Sequence, residues 1–356
     1  MMVIIISHFE FLGQYSVGSL YNTYFHNPTL GVDYFFILSG FGMMLSFIRK
    51  DTYQTTLHPR DLVSYAVRHI KKIYPFYICS LGFGILYSIC VGFIDNGLSF
   101  IYSIDDVVGR IIPCLFLVQS ATGLFSYSQA FCGVFWFLSC LFCIYLVSLP
   151  LLCFFKKHIN TTMRAVIAFL FLTVSSVVLV YVFIYIQNHS DFDGFVYVSP
   201  YCRIFYVACG MILGILFNLR QNNKNNYWEY LAIPLACSYF FLRRYVSVLP
   251  CITYSLDIII CSFAVYSLAI GKGVFSKMLS CKLFVYLGNV SMYAFIIHYL
   301  IRMYIDYIVN KLHLQSALVA LIEMFLIFVG GYGLSILFHN RNLNKTTEIT
   351  GKIQNP

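Results

Sequence analysis

Apolar runs broken by short polar stretches fill the 356-residue chain. A helix needs about 20 mostly apolar residues to cross a bilayer. Nine runs approach or exceed that length: 31–48, 73–93, 131–155, 165–187, 203–219, 229–246, 247–270, 283–305 and 316–338. A tenth run, 1–8, is less than half as long and ends on His8, with Glu10 just beyond. Backbone polar groups in lipid must be satisfied internally, and runs of this length do so as helices. The pattern predicts an all-α polytopic membrane protein of about ten transmembrane helices, the first incomplete at its N-terminal side. The organisation expected is one integral membrane domain over 1–338 and a short tail over 339–356. The stretch 109–123 is apolar but short and holds Pro113, and it reads as a re-entrant or interfacial segment.

Composition excludes a soluble fold. Sixty per cent of residues are hydrophobic and only 10% are charged, against about 25% charged in soluble domains. The 13 Cys include no paired C-x-x-C and mostly sit within apolar runs, so they read as small buried hydrophobes rather than metal ligands. The N-terminus lacks the basic region and small-residue site of a cleavable signal peptide. No internal repeat is visible.

The basic residues are distributed unequally between alternate loops. Segments 49–72, 156–164, 220–224, 272–282 and 341–352 hold 17 of the 23 Lys and Arg. The other side holds Arg110, Arg203, Arg243, Arg244, Arg302 and Lys311. Cytoplasmic loops keep an excess of Lys and Arg, so both termini are expected in the cytoplasm. The net charge of +9 is then a topology signal, not a nucleic-acid surface, since no basic stripe with interleaved aromatics lies on a soluble face.

Ionisable side chains within spans are costly and mark cavities or bundle interiors. Here they are His8, Glu10, Asp33, Arg203, Asp257, His298, Arg302 and Glu323. On this topology all but Asp257 and Glu323 fall toward the outer face, where they form a candidate pocket with acid/base capacity. Arg243, Arg244 and Arg302 read as snorkelling anchors. On the inner side, "YAVRHIKKIYPFY" gathers three Lys and Arg residues and a His at the start of a span. Such a cluster suits phosphates.

Five stretches follow one pattern in order: "GVDYFFILSGFGMMLS" (31–46), "RHIKKIYPFY" (68–77), "VFWFLSCLFCIYLVSLPLL" (134–152), "SPYCRIFYVACGMILG" (199–214) and "LGNVSMYAFIIHYLI" (287–301). Together they resemble the membrane acyltransferase-3 family, which includes bacterial O-antigen and exopolysaccharide O-acetyltransferases. The resemblance implies transfer of an acetyl group from cytoplasmic acetyl-CoA to a hydroxyl of a surface polysaccharide or lipid-linked saccharide, in a bacterial inner membrane. It implies no tightly bound cofactor, no metal and no nucleic acid, with membrane lipids as surroundings.

The resemblance also assigns roles. His8 sits where the family carries its catalytic His. Read from the residues themselves, Glu10 or Asp33 would orient it as a carboxylate orients the His of a triad, with Asp33 the better choice because Glu10, two residues from His8, faces elsewhere on a regular helix. Arg68, His69, Lys71 and Lys72 would hold the phosphates of the donor. Glu10, Ser39, Trp136, Ser139, Arg203 and His298 would line the acceptor side. There are two departures. The family Arg eleven residues before the His would fall upstream of Met1, so the natural chain is expected to start earlier. Two family Arg before Ile-Tyr-Pro are His69 and Lys72 here, which keeps positive charge but loses the bidentate fork. The rival class is a polysaccharide polymerase or a lipid-linked sugar flippase. A polymerase should carry an Arg-rich outer loop, yet 94–130 holds one Arg. A flippase should show repeats.

Overall fold

The computed structural model describes residues 1–9, 12, 18–25, 28–50, 58–96, 104–187, 192–220, 227–246, 250–314 and 316–354. The described residues are helical, with no strand among them. Fourteen helices matter here. They are α1 (Met2–Ser7), α2 (Thr29–Lys50), α3 (Pro59–Ile70), α4 (Tyr74–Asn96), α5 (Ile104–Leu115), α6 (Phe135–His158) and α7 (Thr162–Gln187). There follow α8 (Phe192–Val198), α9 (Pro200–Leu219), α10 (Tyr227–Val246), α11 (Pro250–Ile270), α12 (Val274–Leu279), α13 (Lys282–Lys311) and α14 (Ala317–Gln354).

Eight of these (α2, α4, α6, α7, α9, α11, α13 and α14) are long and apolar enough to cross a membrane. The chain is a multi-pass membrane protein. Two of the ten runs expected to span fall outside this set: α1 has six residues, and α10 carries Glu229, Arg243 and Arg244. The last helix runs without a break past 338 to Gln354, so the expected domain and tail share one helix.

The loop 49–72 is not a plain loop. Pro59 at the first turn and the His58–Asp61 capping box start α3. Its Tyr65, Ala66 and Ile70 are buried while Arg68 stays exposed, as in a helix lying at an interface. It packs against α6.

The closest packing in the bundle joins α2 to α9, which run parallel. Gly40 lies against the Val207 backbone and Gly210 against the Ile37 and Phe41 backbones, so a Cβ at either place would fall on main-chain atoms. Small residues allow this approach where lipid supplies no hydrophobic drive between helices. Phe36, Ile37, Met44 and Tyr206 fill the space around the seam.

The segment 104–123 enters the bundle as α5 and turns back at Leu117, which takes a left-handed backbone. Tyr77 and Tyr74 donate to the carbonyls of Cys114 and Leu115, each at 2.8 Å. Ser139 donates to the Leu117 carbonyl at 2.9 Å and accepts from the Ser120 amide at 3.0 Å. These bonds satisfy backbone groups that no helix would.

Replacing Gly210 by Leu should destabilise the protein by more than the ~1–3 kcal/mol of ordinary overpacking, because main chain rather than side chain must move. The control is Gly42→Ala, whose Cβ meets nothing within 4 Å and which should be neutral or stabilising by up to ~1 kcal/mol. Melting of the purified protein in detergent reads both.

Candidate functional site

The short α1 ends at His8, which is half-buried. Tyr21 donates to the Ser7 carbonyl at 2.6 Å and fixes this end. The His8 ring lies 5.5 Å from that of His298 and 4.8 Å from that of Tyr299, edge-on. His298 is fully buried on α13. Its Nδ1 is 3.1 Å from the Ala294 carbonyl. A carbonyl only accepts, so Nδ1 carries the proton, and in the neutral ring Nε2 keeps its lone pair. Nε2 is buried and has no hydrogen-bond partner among the described residues. One turn on, Arg302 donates to Asp306 at 2.8 Å and lies over the Tyr299 ring.

A second cluster occupies the α2–α9 seam. Asp33 and Arg203 form an ion pair, both fully buried. Arg203 also donates to the Tyr197 carbonyl at 2.8 Å. Its guanidinium lies 5.0 Å from the Tyr206 ring centroid and 5.2 Å from that of Tyr197. Asp257 is close enough to Asp33 for their carboxylates to interact. Asp257 is held in turn by Arg243 at 2.7 and 3.0 Å and by the Tyr239 hydroxyl at 2.8 Å. Two carboxylates and two guanidinium groups therefore neutralise each other inside the bundle. Arg243, expected to snorkel, belongs to this quartet instead. Arg302, also expected to snorkel, is paired with Asp306.

The structure thus brings His8 and His298 together, and separately Asp33 and Arg203. Trp136 joins the second group, its ring 4.6 Å from that of Tyr197. Phe137 bridges the clusters, packing on Phe36 at 4.7 Å and Phe295 at 5.0 Å, while Phe295 lies 5.9 Å from His298. Asp33, expected to orient His8, has Arg203 as its ion-pair partner. The Ser139 hydroxyl is spent on the 117–120 turn. Ser39 is half-buried beside Gly40 on α2. Glu10 lies outside the described residues. Tyr299 was missed, since nothing marks it among 29 Tyr. The Arg243–Asp257 pair had a usable signal: both residues lie seven positions from Pro250, on opposite arms of one hairpin.

At the basic end, Met43, Ser46, Phe47 and Lys50 of α2 and Tyr65, Arg68 and His69 of α3 line an open cleft. His69 bonds through Nδ1 to the Tyr65 carbonyl at 2.9 Å and packs between the Tyr65 and Tyr145 rings. Partial burial holds its imidazole below the ordinary range, and Lys50 and Arg68 lower it further. His69 is therefore neutral at pH 7, and the cations of the cleft are Lys50 and Arg68. Lys71 and Lys72 are exposed in the turn before α4. No group of three or more His, Cys, Asp or Glu able to hold a metal occurs among the described residues.

Removing one member of a buried ion pair leaves an uncompensated charge. Arg203→Met would leave Asp33 and Asp257 sharing one guanidinium, with an expected loss of about 3–5 kcal/mol. The double variant Asp33→Leu/Arg203→Met should lose less than Arg203→Met alone. Detergent melting of the two proteins checks the order.

Residues 1–340 match the family model described as an acyltransferase domain. No curated protein and no solved structure matches the chain. The match takes in both histidines, the charged quartet, the basic cleft and all eight spanning helices, and on that ground the chain belongs to the membrane acyltransferase-3 family.

Proposed function

We propose that this membrane acyltransferase moves an acetyl group from acetyl-CoA, bound at the basic end, to a hydroxyl of a surface polysaccharide or its lipid-linked precursor. The observation that carries this reading is the His8–His298 pair, a half-buried imidazole at the end of α1 against a buried one whose Nε2 has no hydrogen-bond partner among the described residues. The excess of Lys and Arg on alternate loops supports both termini in the cytoplasm, and hence the donor inside and the acceptor outside; the bacterial inner membrane is what the resemblance implies. The family match supports group transfer over polymerisation or lipid flipping.

In this reading His8 takes the proton of the acceptor hydroxyl as its oxygen attacks the acetyl carbonyl. The new ester C–O bond forms and the thioester C–S bond breaks, with the electron pair leaving on the CoA sulfur. His298 shares the proton through Nε2. Tyr299, edge-on to His8, and Phe295 hold the two rings. The Asp33–Arg203 pair and Trp136 shape the acceptor side without entering the bond changes. Lys50, Arg68, Lys71 and Lys72 bind the donor's phosphates. Membrane lipids surround the exposed apolar faces.

Expression in a strain with a defined surface polysaccharide, followed by NMR of its O-acetyl content, tests the reading. The chain should add O-acetyl groups. His8→Ala and His298→Ala, at equal protein level, should each lower transfer at least ~100-fold, the lower range for loss of a general base. If His8→Ala acetylates as well as its parent, the assignment of His8 is wrong.

The donor site makes a separate expectation. Arg68→Ala should raise the KM for acetyl-CoA about tenfold, or ~1.4 kcal/mol, the loss of one charge-assisted phosphate contact. His69→Gln removes no charge at pH 7 and should change that KM less than threefold. A radiolabelled acetyl-CoA transfer assay on membranes separates the two.

A further inference from the structure

Gly331, Ser335 and His339 stand four residues apart on the stripe of α14 that faces α13. At Gly331 a Cβ would sit 3.5 Å from the His298 Cβ, so this end of the stripe is level with the histidine pair. His339 lies eight residues further on, about 12 Å along the helix axis, and is 5% exposed. Its ring is 6.1 Å from those of Tyr286 and Tyr293. Phe76 and Phe338 stand beside Tyr293 at 5.3 and 5.7 Å, and 4.9 Å from each other. Tyr293 reaches toward the Lys72 carbonyl at 3.5 Å, which places the turn of Lys71 and Lys72 beside this aromatic group. Both lysines are exposed.

The Nδ1 of His339 is buried and has no hydrogen-bond partner among the described residues. Ser335 does not serve it, since that hydroxyl is committed to the Gly331 carbonyl. Buried polar atoms are nearly always paired, and one that is not calls for an explanation. None of the steps above uses His339.

The dimensions suggest what meets it, on the reading that acetyl-CoA is the donor, on which this inference rests. Between its diphosphate and its sulfur, acetyl-CoA carries an arm with a dimethyl carbon, a hydroxyl and two amides. An extended chain gains ~3.5 Å per three bonds, so this arm of a dozen bonds reaches about 14 Å. With the phosphates at Lys71 and Lys72 and the thioester at the histidine pair, the half of the arm nearer the phosphates comes level with His339. We propose that His339 is a binding residue for the donor's arm: its Nδ1 hydrogen-bonds the amide nearer the phosphates, while Phe76, Tyr293 and Phe338 pack on the dimethyl carbon. A neutral imidazole nitrogen can accept from the amide N–H or donate to its carbonyl. Fixing the arm partway along places the thioester against His8. The chain then reads the arm through His339 and the phosphates through Arg68 and the lysines.

Three donors with labelled acetyl groups separate these contacts. Acetyl-CoA has the phosphates and both amides. S-acetyl-pantetheine has both amides and no nucleotide. S-acetyl-N-acetylcysteamine keeps only the amide next to the sulfur. Inverted membrane vesicles from the strain used above expose the donor side to each. His339→Phe keeps an aromatic ring without its nitrogens. It should raise the KM for acetyl-CoA and for S-acetyl-pantetheine at least ~fivefold, the loss of one hydrogen bond, and shift that for the shortest donor less than about twofold. Arg68→Ala should raise the KM for acetyl-CoA alone. His339→Gln, which restores a hydrogen-bonding group, should recover most of the loss. The unmodified chain serves if His339→Phe fails to insert: its KM for S-acetyl-pantetheine should lie at least ~fivefold below that for S-acetyl-N-acetylcysteamine. Equal values for those two donors overturn the proposal. So does an inserted His339→Phe protein with a normal KM for S-acetyl-pantetheine, whose Nδ1 would then have met water only, or one that loses equally on all three donors, which marks a packing role. If the unmodified chain transfers acetyl from none of the donors, the acetyltransferase reading itself has failed, and the arm site falls with it.

Discussion

Two full charges buried in a helix bundle persist only as a pair, and the Asp33–Arg203 contact imposes that condition on the whole α2–α9 seam. Either residue alone would drag a helix toward water or leave a charge stranded in low dielectric. Together they fix the rotation of α2 against α9. The rotation that makes the ion pair also turns Gly40 and Gly210 onto the facing backbones. Everything attached to these helices inherits that register: the aromatic bridge from Phe36 through Phe137 to Phe295, and through it the position of His298. The histidine pair is held in place by contacts that are almost entirely apolar, and those contacts are aligned by a charge pair on the other side of the bridge.

The chemistry is divided in the same way. At one end, exposed cations surround an open cleft whose one imidazole is kept neutral by burial. At the other side of the aromatic bridge, two histidines meet without an intervening charge of their own. In the proposed reading, binding of an anion and handling of a proton therefore rely on different residues. A change in ionic strength acts on the first and little on the second.

Much of this was legible in the chain. The period and length of the apolar runs marked the eight spanning helices, and Asp33, Arg203, Asp257 and His298 within them lie buried in the bundle. What could not be read was who meets whom. Asp33 and Arg203 stand 170 positions apart, and no local pattern joins them. His8 and His298 were both visible as candidates, yet their contact depends on the packing of a six-residue helix against α13. Ser139 looked like a pocket residue because it falls in the stretch 134–152 that resembles the family's Trp-x-Leu-Ser helix. The turn it clamps has no signature beyond Pro113 and Gly123. Helix α3 was hidden because Tyr65, Ala66 and Ile70 are interleaved with charges, which is the pattern of an interfacial helix as much as of a loop.

The packing at the start of α4 has a mechanical meaning. Tyr77, three residues into α4, already packs on Phe135 at the first turn of α6. The Lys72 carbonyl is reached by Tyr293, only five residues before His298 on the same helix. Five residues of helix rise about 7.5 Å, a quarter of the ~30 Å hydrocarbon layer. The turn that carries the exposed lysines and the helix position that carries His298 are thus tied to one stretch of α13 less than two turns long, so the two ends of the chemistry are joined mechanically by a single rigid element.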